Sequence, residues 1–368
     1  MLFHEKSLFP LPQKSRLQKK LFYQNLISGY HHMNAGKPSL SKTIILYPYG
    51  AKHLGLFDDL KNNAQVYLRY SERKALRFPG FSFLRRLHFS PKLNRLLPLP
   101  YKHLWYGFSD IFSLLKQTKH ILIIDTALRS LDEELLRKLK AKGAVLDLYL
   151  INSMNAESPR FLEIKPKLSL NVWHKIYTFD PVDAKKYGYS FRGFDYYSKH
   201  PVSIPEALEF DAHFVGGIKG NREDLVNHLY QAISKHGGKC DFHVMVYKNQ
   251  KYTEIEGIHY IQGNWQPYSN VLNNLVKSNA IIEILQEGQS GASLRYFEAV
   301  CYNKKLLTNN PHIIDFPFYD ARYMKIFHDE NDIDYDWLCK REPVEYNYQG
   351  EFSPHRLVEY LSSDEALI

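Results

Sequence analysis

Short apolar runs alternate with amphipathic stretches along most of this chain, and the alternation predicts its architecture. Runs such as Ile121-Leu-Ile-Ile124 and Ala280-Ile-Ile-Glu-Ile-Leu285, bounded by polar turns, read as buried strands. A first series places strands at Thr43 to Tyr47, Ala64 to Tyr70, His120 to Ile124, Ala144 to Ile151 and Trp173 to Thr178. Helices over Phe108 to Gln117 and Leu131 to Lys142 lie between them. A second series opens at Asp211, with strands Ala212 to Val215, Lys239 to Tyr247, Ile258 to Ile261, Ala280 to Leu285 and Lys305 to Thr308. Its helices run over Arg222 to His236, over Tyr268 to Ser278, and through the stretch following Ser290. Strand–helix alternation of this kind predicts parallel sheets with right-handed crossovers.

Two series imply two domains, and 368 residues suffice for each to bury its own core. The expected boundaries are a basic amphipathic arm at 1–42, a first α/β domain at 43–205, a second at 206–345, and a C-terminal segment at 346–368. In the arm, Leu17, Leu21, Phe22 and Leu26 fall near helical spacing, and Gly36-Lys-Pro-Ser marks a linker. Residues 192–209, with Gly193, Pro201 and Pro205, read as a hinge. The last helix, Pro354 to Leu361, is expected to cross back to the first domain.

Charge changes the picture through its distribution. Residues 1–105 hold 18 Lys and Arg against four acids, although the whole chain carries only +9. Within that part, 69–106 interleaves cations with apolar groups, including Arg77, Arg85, Arg86, Lys92, Arg95, Lys102 and Trp105. An anionic membrane surface suits such a pattern. A basic loop with inward-packed apolar residues and a nucleic-acid patch are the alternatives. No window reaches the length of a membrane span, and the first residues lack the apolar core of a signal peptide. The three cysteines, Cys240, Cys301 and Cys339, match no metal-ligand spacing and point to a reducing cytoplasm. The expected location is therefore cytoplasmic, peripheral on the inner face of a bacterial plasma membrane. The acidic run Asp329 to Asp336 contains Asp-x-Asp spacing but follows no strand, and reads as an exposed turn.

Candidate chemistry concentrates in Gln289-Ser-Gly-Ala-Ser-Leu-Arg295-Tyr-Phe-Glu298-Ala299, followed by Lys304-Lys-Leu-Leu-Thr308-Asn-Asn310. Ser290 is the expected helix cap, leaving the amides of Gly291, Ala292 and Ser293 to face an anion. Arg295 and Glu298 share a helix face. Gly216-Gly217, with Lys219 and Arg222 beside it, offers a second anion site or a plain tight turn.

The string resembles the donor-binding signature of bacterial glycosyltransferases that build lipopolysaccharide or capsular polysaccharide. Tyr177-Thr-Phe-Asp180-Pro181-Val-Asp183 and Phe210-Asp211-Ala-His-Phe-Val215-Gly216-Gly217 fit the same family, so the likeness covers roughly 170–310. It implies a GT-B fold, two Rossmann-like domains facing each other across a cleft. It also implies a nucleotide-sugar donor, a UDP-sugar first, with no metal or other cofactor, and a glycan or lipid-linked acceptor. On this reading Glu298 holds the ribose, while Ser290 to Ser293 and Arg295 hold the diphosphate, with Gln289 on sugar or phosphate. The alternative for Glu298 is an ion pair with Lys305 or Arg295. The family's retaining members carry a Glu eight residues before the ribose-binding Glu. Here that position is Ser290, which points to inversion. Asp125 and His53, just beyond first-domain strands, are the candidate acceptor bases. A non-catalytic sugar-nucleotide or glycan-binding scaffold and a nucleic-acid-binding protein are the competing readings.

Overall fold

The computed structural model describes residues 42–48, 53–71, 80–97, 99, 111–155, 159–218, 222–246, 250–262 and 267–363. The expected N-terminal arm, apart from its last residue, lies outside them, as do Arg77, Lys102, Trp105 and Lys219.

Twelve strands among these residues form two sheets. The first contains β1 (Thr43–Tyr47), β2 (Val66–Tyr70), β3 (His120–Ile124), β4 (Val145–Leu150), β5 (Lys175–Thr178) and β6 (Ser190–Phe191), in the order β2-β1-β3-β4-β5-β6. The second contains β7 (Phe210–Gly217), β8 (Cys240–Val246), β9 (His259–Gln262), β10 (Ser278–Glu283), β11 (Lys305–Thr308) and β12 (Met324–Ile326), in the order β9-β8-β7-β10-β11-β12. Every neighbouring pair is parallel. The second order is that of a Rossmann sheet, reversing direction between β7 and β10. The first reverses between β1 and β3. These reversals matter because adjacent loops diverge there and leave a crevice beyond the strand ends.

The helices relevant to the site are α1 (Phe81–His88), α2 (Pro91–Leu96), α3 (Glu133–Ala141), α4 (Pro181–Tyr187), α5 (Arg222–Lys235), α6 (Tyr268–Leu275), α7 (Leu294–Cys301) and α8 (Pro354–Leu361). Local chemistry fixes their ends. Asp132 caps α3 through the Leu135 amide at 2.8 Å. Asp180 caps α4 ahead of Pro181, and Gly188 ends that helix at φ +68°.

Each sheet has an outer core of its own. Ile44, Leu46, Ile121, Ile123, Leu136 and Phe161 belong to the first, and Phe214, Val226, Leu229, Phe242 and Ile282 to the second. A third cluster joins the inner faces, running from Ile45, Tyr47 and Tyr177 through Tyr196 and Phe297 to Leu272 and Leu306. Phe297 is its hub, stacked on Tyr197 at 5.4 Å and edge-on to Tyr196 and Phe352. Among the described residues nine tyrosines are buried, several of them in this seam. The expected hinge is corrected in its first part. Tyr196, Tyr197 and Ser198 are buried, and Arg192 donates through Nε and Nη2 to one oxygen of Asp195, so 192–198 is packed structure, while 199–209 is exposed or half-buried. α8 lies on the first domain, where Ser353 Oγ donates to Asp59 at 2.6 Å and Asn63 meets His355 at 2.9 Å.

Both sheets carry a buried aspartate between two histidines. Asp147 on β4 bonds His120 at 2.7 Å and His174 at 3.1 Å. Asp241 on β8 bonds His213 and His243, each at 2.8 Å. Burial acts to raise the Asp241 pKa, but the two histidine hydrogen bonds outweigh it and hold the carboxyl well below its ordinary value. A depressed carboxyl pKa contributes stability above the unfolded value, and that contribution is lost as pH falls through the folded one. Asp241→Ala should lower stability at pH 7 by about 2 kcal/mol or more and flatten the acid limb of the stability curve. Denaturant titrations from pH 7 down to 3 would test this, and parallel curves for both proteins would remove the claim.

Candidate active site at the domain interface

The strand-order reversals of both sheets open onto one cavity of about 300 Å³. From the first domain come His53 and Leu54, just beyond β1. From the second come Gly216 and Gly217 at the end of β7, Met245 on β8, Ile261 on β9, Tyr268 and Val271 on α6, Gln286 beyond β10, and Arg222, Leu294 and Arg295. The chain thus gathers His53, Gly216, Gly217, Arg222 and Arg295, residues 242 positions apart at the extremes, around one space.

Two guanidiniums dominate its charge. Arg222, at the start of α5, donates to the Ile284 carbonyl, which fixes it across the end of β10. Gly216 makes room for a neighbouring ring, since a Cβ there would lie 2.9 Å from Phe214. Arg295, in the first turn of α7, is 2.5 Å from Glu298. Val215, Met245, Ile261 and Val271 give the same cavity an apolar part to its lining. The arrangement can hold an anion at one side and a flat or apolar group at the other.

Glu298 does not face this cavity. It is fully buried, bonded by Tyr268 Oη at 2.7 Å and paired with Arg295. Burial raises its carboxyl pKa, against the pull of Arg295 and the Tyr268 hydrogen bond. Tyr268 in turn meets Tyr197 at 2.9 Å. The chain Tyr197–Tyr268–Glu298–Arg295 therefore runs from the interdomain core to the cavity wall. Direct ribose contact is replaced by a supporting role, because no face of that carboxylate reaches solvent.

The helix cap is corrected as well. α7 begins at Leu294, and Ser293 caps it through the Arg295 amide at 3.0 Å. Ser290, Gly291 and Ala292 are buried before the helix starts. Several of their polar groups already have partners. Asp180 accepts from the Ser290 amide at 2.7 Å, the Gly291 amide at 3.0 Å and the Ser290 hydroxyl. Tyr196 Oη donates to the Ala292 carbonyl at 3.0 Å. A protein carboxylate thus occupies the position proposed for a diphosphate. Gly291 permits the approach, since a Cβ there would sit 2.5 Å from the Phe179 carbonyl oxygen. Gln289 is half-buried beside this turn and does not line the cavity.

The rest of the signature is a buried lattice. Glu283 accepts from Ser293 and Thr308, and Asn310 Nδ2 donates to the Ser290 carbonyl at 3.3 Å. Lys304 donates to the Val276 carbonyl at 2.6 Å, and burial lowers its ammonium pKa to about 8. Lys305 reaches the Trp337 and Lys340 carbonyls.

Of the two candidate bases, Asp125 is excluded by position. It is fully buried, accepting from the Ile151 amide at 3.1 Å, Asn152 Nδ2 at 2.5 Å and the Thr126 amide. It ties together the loops after β3 and β4. His53 is exposed and lines the cavity. Tyr268 and Gln286 are cavity residues that sequence reasoning missed. Tyr268, at the first turn of an amphipathic helix, carries a polar group whose partner only the folded chain supplies.

Two parallel-sheet domains, their reversals facing across a shared cleft and a last helix returning to the first domain, define the GT-B class of α/β architecture. No family model and no curated protein sequence matches the chain. Solved structures that resemble it include an alpha-glucosyltransferase in complex with UDP and DNA, at 12% identity and TM-score 0.49, covering 89% of this chain and 92% of that one. A putative UDP-N-acetylglucosamine 2-epimerase from Listeria monocytogenes has 10% identity and TM-score 0.49, covering 90% and 98%. The glycosyltransferase SnogD from Streptomyces nogalater has 11% identity and TM-score 0.38, covering 73% and 81%. Likeness at this level carries no information on activity.

The Asp180 contacts make a direct prediction. Asp180→Ala removes a shared acceptor for five donors, three of them in the other domain. Stability should fall by about 3 kcal/mol or more, with a smaller loss for Asp180→Asn. A thermal midpoint unchanged in both variants would show that the two domains do not depend on this carboxylate.

Proposed function

We propose that this protein is a glycosyltransferase that moves a sugar from a nucleoside-diphosphate sugar, a UDP-sugar first, to a glycan or lipid-linked acceptor of lipopolysaccharide, capsule or exopolysaccharide assembly. The observation that carries the reading is the cavity where both strand-order reversals meet, with Arg222 and Arg295 on one side and an exposed histidine entering from the opposite domain.

The chemistry follows from the positions. The leaving group is a diphosphate, and charge develops on its bridging oxygen as the glycosidic bond breaks. Arg222 and Arg295 are fixed by the Ile284 carbonyl and by Glu298. They face that charge without reorganising, which is where electrostatic stabilisation is strongest. The Gly216-Gly217 end of β7 lets the backbone approach the phosphates. The wall of Val215, Met245, Ile261 and Val271 takes the base or the sugar's apolar face. His53 accepts the proton of the attacking hydroxyl from the opposite side, which gives displacement with inversion.

The acceptor side of the reading rests on the basic segment. α1 and α2 expose Phe83, Leu84, Leu87, Leu96 and Leu97 beside exposed Arg86 and Lys92. Among the described residues these are five of the eleven large apolar side chains that face solvent. A concentration of this kind on a basic face suits insertion at an anionic membrane surface, where a lipid-linked acceptor would be found. Among the described residues, no helix is long and apolar enough to cross a membrane.

Arg222→Ala and Arg295→Ala should each reduce turnover of a UDP-sugar at least tenfold while leaving the fold intact. His53→Ala should lower kcat by about 10²–10⁴ and leave the thermal stabilisation by UDP unchanged. A scaffold without turnover would show UDP stabilisation but no UDP release across a panel of donors and acceptors, and that result would overturn the enzyme assignment. For the membrane face, replacing Arg85, Arg86, Lys92 and Arg95 with Gln should abolish cosedimentation with anionic vesicles. Equal cosedimentation of both proteins would remove that part of the reading.

A further inference from the structure

Several direct contacts join the domains: Asp180 with Ser290 and Gly291, Asn155 with the Gly288 carbonyl at 3.1 Å, and Tyr196 with the Ala292 carbonyl. Besides the candidate donor cavity there is a larger groove of about 520 Å³, which shares no lining residue with it. It is formed by α4, which follows β5, and by the short helical turn Pro311–Asp315, which follows β11. It too spans both domains at the carboxyl ends of parallel strands.

Its lining is chemically mixed. Lys185, Lys186 and Val182 come from α4, and His312, Asp315 and Phe316 from the second domain. Lys185 and Lys186 are exposed, and His312 and Asp315 are half-buried. Among the described residues, neither the Lys185 ammonium, the His312 ring nor the Asp315 carboxylate bonds or pairs with another side chain. Oppositely charged groups therefore line one groove without meeting, which leaves room for a ligand that contacts both.

We infer that this groove is a second ligand site, an exosite for an acidic saccharide, and that it grips the acceptor glycan away from its reacting end. Two lysines against one carboxylate select a negatively charged ligand. Asp315 and His312 suit sugar hydroxyls, which donate to carboxylates and exchange hydrogen bonds with imidazole. The volume falls within the roughly 300–1,000 Å³ of small-ligand sites. A second nucleotide fits less well. Phe316 is only 4% exposed, so no aromatic face is open to a base, and the apolar wall that would take one belongs to the other cavity. The groove shares no lining residue with the cavity that holds Arg222, Arg295 and His53, so the site binds without taking part in transfer.

The inference rests on the glycosyltransferase reading, and the test separates the two. Binding of trigalacturonate and of neutral maltotriose to the full chain is measured by isothermal titration, alongside thermal stabilisation by UDP. The wild type should prefer the acidic trisaccharide at least tenfold. Lys185→Ala/Lys186→Ala should weaken that binding at least tenfold and leave the UDP shift unchanged. Absent binding of trigalacturonate, equal binding of both trisaccharides, or undiminished binding in the double variant would overturn the exosite. Trigalacturonate binding that depends on the two lysines, with no UDP shift in any variant, would retain the groove as a saccharide site and overturn the donor reading instead.

Discussion

One carboxylate organises the junction of the two domains. Asp180 starts α4 by accepting from the Val182 and Asp183 amides, and its oxygens also take the amides of Ser290 and Gly291. A buried carboxylate is tolerable only when its oxygens are satisfied, and here the second domain supplies much of that satisfaction. The approach of Ser290 and Gly291 in turn fixes where α7 begins, and so where Arg295 points. The cavity residues Leu294 and Arg295 and the groove residues Pro181 and Val182 all adjoin this contact in the chain.

Around that contact the aromatic seam makes the interface a core. Domains joined by small polar interfaces move relative to one another, whereas a large apolar interface resists such motion. Here Tyr196, Tyr197, Phe297 and Phe352 pack between the sheets with their hydroxyls bonded, so polar and apolar parts are both satisfied. The price is paid in access, since groups the sequence marks for ligands are enclosed in the same seam.

The sheets were legible because buried parallel strands announce themselves as apolar runs. β1, β3 and β11 fall where the pattern predicts, and other boundaries move by a few residues. The site was legible only in part. Gly216 and Gly217 close a strand, Arg222, Arg295 and His53 each lie beyond one, and topology brings such ends together, so position along the chain carried the information. Glu298 and Ser290 to Ala292 lie in the same segment and meet different fates. Glu298 turns inward to Tyr268, and Ser290 is claimed by Asp180, 110 residues earlier in the chain. Local spacing describes which residues share a helix face. It holds nothing about a partner from another domain. Asp125 illustrates the same limit, since a strand-end aspartate looks identical whether it meets solvent or two donors from the neighbouring loop.

α8 has a consequence for how the molecule is made. Its buried residues Leu357, Val358 and Leu361 belong to the cluster that also contains Ile45 and Tyr177, so strands early in the chain are completed by a helix far along it. During synthesis the first sheet must keep an apolar flank uncovered until α8 has been made. Biogenesis of this fold is therefore a holding problem, in which the flank stays open until α8 docks.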